Sequence, residues 1–321
     1  MNKAVNIIVT CTGRKTHDPA RGYRLRDLHE RALLTRAQTW IGKLRASGGS
    51  QTKASELYCG EYWSVVRSLP MTARKSGIVL RSWICSAGYG LISPQSQLDP
   101  YSATFSPYER DCVTRGFDGD ARREAARQWW QEIGQWRGPR GNELRSVQSI
   151  ARRYPRTPLL VVASPDYLCA LEKDLTNALD TLGDPDLLLI VSAGTKSLGR
   201  LTDHLLPCNA TLQPVLGGTR GSLNIRIARL LLERAGKTLL NVERASLELG
   251  KLLRKQPPIV RYHRRAVTDQ QVLTFIRLQL NRNGVVSRSV LLRRLRDSGK
   301  ACEQSRFANL YRQMVIDEKV A

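Results

Sequence analysis

Several things are scarce in this 321-residue chain, and each scarcity removes a class of function. There are only four histidines (His17, His29, His204, His263) and no HExxH, so a metal centre has little to be built from. The seven cysteines are odd in number, scattered, and never in CxxC spacing, which argues against a zinc ribbon or a disulfide framework and for reduced thiols. No run of about 18 apolar residues occurs, and the N-terminus passes into a strand-like segment without the charged and apolar regions of a signal peptide. These absences predict a soluble, cytoplasmic protein with no metal, no cofactor and no membrane partner. No oligomeric state follows from them.

Acidic residues are also scarce. The 28 Asp and Glu face 51 Lys and Arg, a formal net charge of +23, and a field of that sign attracts polyanions. Arginine supplies most of the excess and suits bidentate phosphate contacts better than lysine. The excess is concentrated at one end: residues 251–321 carry 16 Lys and Arg against 5 Asp and Glu. Nucleic acid, and double-stranded DNA in particular, is the expected partner.

With 41% hydrophobic residues the chain can bury one large core or two smaller ones. Short apolar runs at residues 5–10, 78–85, 159–163, 187–192 and 212–216 read as strands buried on both faces, as in a parallel sheet. Amphipathic segments fall between them, at 28–46, 62–73, 120–136, 143–153, 166–182, 198–206 and 222–235. The expected fold is therefore a three-layer α/β domain over residues 1–255, with a helical insertion at about 106–153. The insertion carries Trp129, Trp130 and Trp136 among arginines. These rings could stack on bases, although packing of the insertion onto the domain is the commoner use.

A double proline and a basic run (QPPIVRYHRR) mark a boundary, and residues 262–321 read as a second, helical domain. Thr268 caps a helix that stops at Gly284, Ser287 opens another that closes at Gly299, and a third runs over about 303–315. Three short basic helices joined by glycine turns resemble a helix-turn-helix or winged-helix module. On that reading Gln304, Arg306, Asn309, Arg312 and Gln313 face outward towards DNA. The alternative is a helical cap on the first domain.

Ligands of parallel α/β domains bind outside the carboxyl ends of the strands. Those ends carry CTGRKTHD (11–18), SAGYGLIS (86–93), ASPDY (163–167), SAGTKS (192–197) and GGTRGS (217–222), all small, polar or glycine-rich. In GGTRGSLNIR a glycine turn enters a helix, so backbone amides with Arg220, Ser222 and Arg226 could hold an anion. Thr12, Arg14 and Lys15 form a similar basic turn, and a phosphate backbone is the economical ligand for both. Neither turn is a GxGxxG or a P-loop. In LDPY an aspartate sits in a loop where it could orient water or stabilise a developing sugar cation. Asp99 is thus the expected catalytic acid, with Asp18 and Asp166 as reserves at neighbouring strand ends. Tyr89 and Tyr101 are expected to hold a flipped base, with Cys11 and Ser192 at adjoining strand ends.

Two resemblances bear on these segments. IIVTCTGRK and SAGYGLISPQSQLDPYSATF, with later support from GTRGSLNIR, resemble a bacterial family that includes peroxide-stress proteins, over about the first third of the chain. Ser102 stands where that family carries aspartate. QLDPYS resembles the Gly-Gln-Asp-Pro-Tyr-His motif of uracil-DNA glycosylases, keeping Asp99, Pro100 and Tyr101, with leucine before the acid and serine for the histidine. The second glycosylase motif, His-Pro-Ser-Pro, is absent, which implies an altered base pocket. Taken whole, the chain is similar to phage-restricting DNA glycosylases that excise glucosylated hydroxymethylcytosine. That similarity implies hydrolysis of an N-glycosidic bond in modified phage DNA, leaving an abasic site. Two other readings remain at this stage: a non-enzymatic DNA-binding stress or regulatory protein, and a tRNA base-modifying enzyme.

Overall fold

The computed structural model describes residues 3–46, 51–141, 144–195, 197–235, 240–257, 263–284 and 286–320. The chain divides into two compact units, Met1–Pro257 and Pro258–Ala321. In the first, five strands form one sheet: β1 (Lys3–Thr10), β2 (Ile78–Ser86), β3 (Gly90–Ile92), β4 (Leu159–Val162) and β5 (Leu188–Val191), in the order β3-β2-β1-β4-β5. β1 runs parallel to β2, from Lys3 opposite Ile78 to Thr10 opposite Cys85, and parallel to β4; β5 is parallel to β4. Only the short β3 is antiparallel, folding back on β2 across Ser86 and Gly90. The apolar runs of β4 and β5 are buried at every position, as strands covered on both faces must be.

Helices Leu33–Arg45, Gly119–Gln135, Val147–Arg153 and Pro165–Leu179 pack on one another, while Glu61–Lys75 packs with Leu223–Arg234 and both touch the sheet. The unit is thus α/β with a mostly parallel central sheet, compatible with three layers. Strand order reverses at β1, so the loop after β1 lies at the topological switch, where such folds bind ligands.

Two expected elements differ. Residues 212–216 form a 3-10 turn and a short helix (Gln213–Leu216) in place of a strand. Pro214, near the start of that helix, lacks an N–H and has a φ already suited to a first turn. Residues 198–206 contain only the 3-10 turn Thr202–His204, because Gly199 takes a positive φ of 50° and the Thr202 hydroxyl accepts from the Leu198 amide. The helix expected from residue 143 begins at Val147, where Ser146 and Ser149 close a capping box; residue 143 itself lies outside the described residues.

In the second unit the three expected helices are Asp269–Asn283, Arg288–Asp297 and Gln304–Val320. Thr268 and Gln271 form a capping box, and Gly284 and Gly299 end the first two helices at φ of 65° and 76°. Arg265–Ala266 pairs in parallel with Lys300–Ala301. Val272, Ile276, Leu291, Leu295 and Phe307 are buried together in a core separate from that of the first unit. Phe307→Ala is expected to cost about 3–5 kcal/mol, read as faster hydrogen exchange of amides in the 263–320 segment. Unchanged exchange there would show that Phe307 does not hold this core.

Candidate functional site

The loop after β1 forms one wall of a cleft of about 650 Å³, to which it contributes Thr12, Gly13, Arg14 and Lys15. The start of helix Glu61–Lys75 supplies Cys59 to Tyr62. The segment after β3 adds Ser102, Thr104 and Asp111, and the glycine turn adds Thr219 and Gly221. A second hollow of about 390 Å³ shares Gly13, Lys15, Arg26 and Ser102 with the first and adds His17, Asp18 and Tyr101. Chain segments far apart in sequence therefore meet at the carboxyl end of β1.

Asp111 is the acid built most firmly into this wall. Its carboxylate accepts from the Arg26 backbone amide at 2.9 Å, from Arg26 Nε at 3.0 Å and Nη2 at 2.5 Å, and from the Ser102 hydroxyl at 2.7 Å. Its residue is 4% exposed. Burial opposes ionisation, but the hydrogen bonds from Arg26 and Ser102 outweigh it and hold the carboxyl below the usual carboxylate range. An anion is therefore fixed on the cleft wall at neutral pH. No motif singled out in the sequence marks Asp111, nine residues after Ser102.

Lys15 lines both hollows. Its ammonium donates to the Thr12 carbonyl at 3.3 Å and lies 4.2 Å from the ring centroid of Tyr101. Burial lowers its pKa, partly opposed by the field of Cys11 and Asp111. Among the described residues it makes no ion pair. Arg14, one residue earlier, is exposed.

Under this lysine Tyr101 is fully buried. Its hydroxyl bonds Tyr58 at 2.8 Å and Ser86 at 2.6 Å, and Ser86 Oγ also accepts from the Gly88 and Tyr89 amides. Burial pushes the Tyr58 and Tyr101 phenols well up. Tyr89 sits edge-on to Tyr101, and its hydroxyl donates to the Asp99 carbonyl at 3.3 Å and accepts from the Asp99 amide at 3.1 Å.

The sequence-predicted residues thus separate into two groups. Thr12, Arg14 and Lys15 line the cleft, and Asp18 and Tyr101 line the adjoining hollow. Asp99 is buried, accepts from Gln51 at 3.2 Å, and is not among the residues lining either hollow. Tyr89, 2% exposed, has no open ring face for a base. Cys11 contacts the Tyr167 hydroxyl at 3.0 Å, and the Ser192 hydroxyl pairs with Thr195. Asp166 lines a different, smaller hollow with Arg122 and Cys169, where burial raises its carboxyl above the usual value.

The glycine turn is an anion site, but its anion is internal. Glu61 accepts from the Thr219 amide at 3.0 Å, from the Ser222 hydroxyl at 2.8 Å and from Arg226 at 2.8 Å. The Arg226 hydrogen bond, aided by Ser222 and Thr219, lowers its pKa to about 2. A Cβ at Gly218 would lie 2.2 Å from both Arg226 Nε and Glu61 Oε1, so that glycine is required for the approach. Ser222 and Arg226 are consequently committed to Glu61 rather than available to phosphate, whereas Arg220 is exposed.

The tryptophans of the insertion are structural. Trp129, Trp130 and Trp136 are 0%, 3% and 7% exposed, Trp129 Nε1 donates to the Ala87 carbonyl and Trp130 Nε1 to Asp174. Stacking on bases would require rings that these contacts cover. In the second unit Arg306 pairs with Asp269 and the Val267 carbonyl, so it braces two helix ends, whereas Gln304, Asn309, Arg312 and Gln313 are exposed as expected.

Among the described residues no helix is long and apolar enough to cross a membrane, and no cluster of His, Cys, Asp and Glu could hold a metal ion. Comparison with family models, with curated proteins and with solved structures gives no match.

Proposed function

We propose that the cleft at the end of β1 is the active site of a DNA glycosylase, which hydrolyses the N-glycosidic bond of a modified base in phage DNA, glucosylated hydroxymethylcytosine being the candidate. The observation that carries this reading is the ionised, hydrogen-bonded Asp111 facing a cleft edged by Arg14, Lys15 and Arg26. When a base leaves with the bonding electrons, the sugar gains positive charge at C1′. A preorganised carboxylate stabilises that charge or orients the attacking water. Asp111 takes this role in place of Asp99, which does not line the cleft. The cleft volume lies in the range that encloses a ligand of small-molecule size, and reaching such a site requires the nucleotide to leave the duplex.

Exposed Arg14 and Arg220 would contact phosphates, and the second unit would act as a helix-turn-helix type DNA anchor through Asn309, Arg312 and Gln313. The formal charge of +23 supports a polyanionic substrate. The test is incubation with unmodified and glucosylated phage DNA, followed by mass spectrometry for released base and by alkali cleavage of abasic sites. Release of the modified base from the second DNA alone is the expected result; no released base from either would overturn the reading. Binding should also weaken steeply with salt, and Arg14→Ala and Arg312→Ala should each lower the slope of log K against log salt by about 1. An unchanged slope would remove the residue from the phosphate contacts.

A further inference from the structure

Within the cleft two kinds of cation serve two chemistries. A guanidinium stays charged under working conditions, and exposed Arg14 is fit to hold phosphate, whereas Arg26 is paired with Asp111. Lys15 is the one lysine lining either hollow. An amine differs from a guanidinium in that, once deprotonated, its nitrogen is a nucleophile towards a carbonyl carbon. Burial of Lys15 works towards that state, against the attraction of the Tyr101 and Tyr58 rings, whose centroids lie 4.2 Å and 5.8 Å from its ammonium, and against the field of Asp111; no carboxylate makes an ion pair with it among the described residues. Its hydrogen bond to the Thr12 carbonyl holds the side chain against the loop and so towards the cavity it lines. Asp111, an anion without a proton to give, lines the same cleft.

The geometry points to a second activity at this site: Lys15 is the nucleophile of an abasic-site lyase, which attacks the deoxyribose left after base loss and breaks the strand on its 3′ side. The inference rests on the cleft being a DNA site, as proposed above. In its ring-opened form the abasic sugar carries an aldehyde at C1′. The Lys15 Nζ lone pair forms a bond to C1′, and the carbonyl oxygen departs as water after taking one proton from the amine and one from solvent, leaving a protonated imine. A carboxylate of the cleft then removes a proton from C2′, the electrons move into a C1′–C2′ enamine, and the C3′–O bond breaks with its electron pair leaving on the phosphate oxygen. Water hydrolyses the imine, returns the amine and releases an unsaturated aldehyde on the upstream strand. No oxidant, metal or cofactor enters the balance. Burial lowers the Lys15 pKa from its ordinary value, which raises the share of neutral amine at a given pH.

The experiment uses the full chain and duplex DNA whose single abasic site was made beforehand by removing a uracil, so that no base release by this protein is needed. With cyanoborohydride present, the imine should be reduced to a covalent protein–DNA adduct, and peptide mapping should place the sugar remnant on Lys15. Without it, the strand should be nicked with an unsaturated aldehyde end. Lys15→Arg keeps the charge without the nucleophile. It should lose adduct and nicking at least tenfold while its thermal midpoint and its affinity for the same duplex stay near those of the unchanged protein. Absence of adduct with the unchanged protein, or an adduct that persists in Lys15→Arg or maps to another lysine, overturns the assignment. Base release from glucosylated DNA, measured in parallel, reports on the glycosylase reading separately: release without trapping removes only the lyase, and trapping without release removes only the glycosylase.

Discussion

Asp111→Asn is expected to slow base release from modified DNA by roughly two to four orders of magnitude, with duplex affinity changed only a few-fold. Asparagine keeps the shape and can still accept from Arg26 and Ser102, but it removes the negative charge that the leaving base requires beside the sugar. The same assay on Asp99→Asn should give a rate within a few-fold of the unchanged protein. Asp99 is buried beneath Tyr89, to whose hydroxyl its backbone is bound, and it does not line the cleft. The pair of variants is decisive because the two acids make opposite predictions. A severe loss in Asp99→Asn with near-normal Asp111→Asn would return the catalytic role to the aspartate of the LDPY segment. Thermal midpoints of both variants separate a chemical loss from unfolding, since Asp111 also anchors Arg26 across 85 residues of chain.

Gly88→Ala should produce a large stability loss in the first unit. A Cβ at position 88 would stand 2.3 Å and 2.4 Å from two ring carbons of Tyr101, well inside contact distance. The ring cannot retreat: its hydroxyl is held by Tyr58 and Ser86, and Trp40 and Tyr89 meet it edge-on. The backbone cannot retreat either, because Trp40 Nε1 donates to the Gly88 carbonyl at 2.7 Å. Overpacking of this kind costs about 1–3 kcal/mol or more, and the doubly pinned geometry places it at the upper end. For a unit of this size that corresponds to a drop of roughly 6–12 °C in Tm. Because Tyr101 carries Lys15 above its ring, the variant that survives should also lose activity. A midpoint unchanged within a degree would mean that the Tyr101 ring is not held as described.

Much of the architecture was legible locally. Four of the five expected strands form at nearly the expected residues; the apolar runs at 5–10, 159–162 and 188–191 are buried on both faces as expected, whereas in Ile78–Ser86 Val79 is exposed and Leu80 to Trp83 are half-buried. Thr268, Gly284 and Gly299 punctuate the second unit where their capping chemistry implies. The misread segments were those in which local chemistry competes with periodicity: Pro214 in a run of leucine and valine, and Gly199 with Thr202 in another.

The site was legible only in part. TGRK was recognisable as a strand-end basic turn, and it does line the cleft. The GGTRGS turn was recognisable as an anion site, yet nothing near it in sequence shows that Glu61, 158 residues before Thr219, supplies the anion. The aromatic content of the insertion suggested base stacking, whereas burial of Trp129, Trp130 and Trp136 assigns those rings to the core. SAGYGLIS and LDPY drew attention as loop motifs, and their tyrosines are the packed floor of the site rather than its exposed surface.

By itself the sequence determined the class of the fold, the places where most strands and helices form, and the sign of the chain's net charge. These follow from periodicity, capping and composition, which act over a few residues or over the whole chain. Only the tertiary structure decided which acid faces the cleft, which cations are already paired, and which lysine lines the cleft above aromatic rings. Each of those is a contact between distant segments: Arg26 with Asp111, Glu61 with Arg226, Lys15 with Tyr101. The ionisation and reactivity of a side chain are set by the groups within a few ångströms of it, and for this site those groups come from elsewhere in the chain.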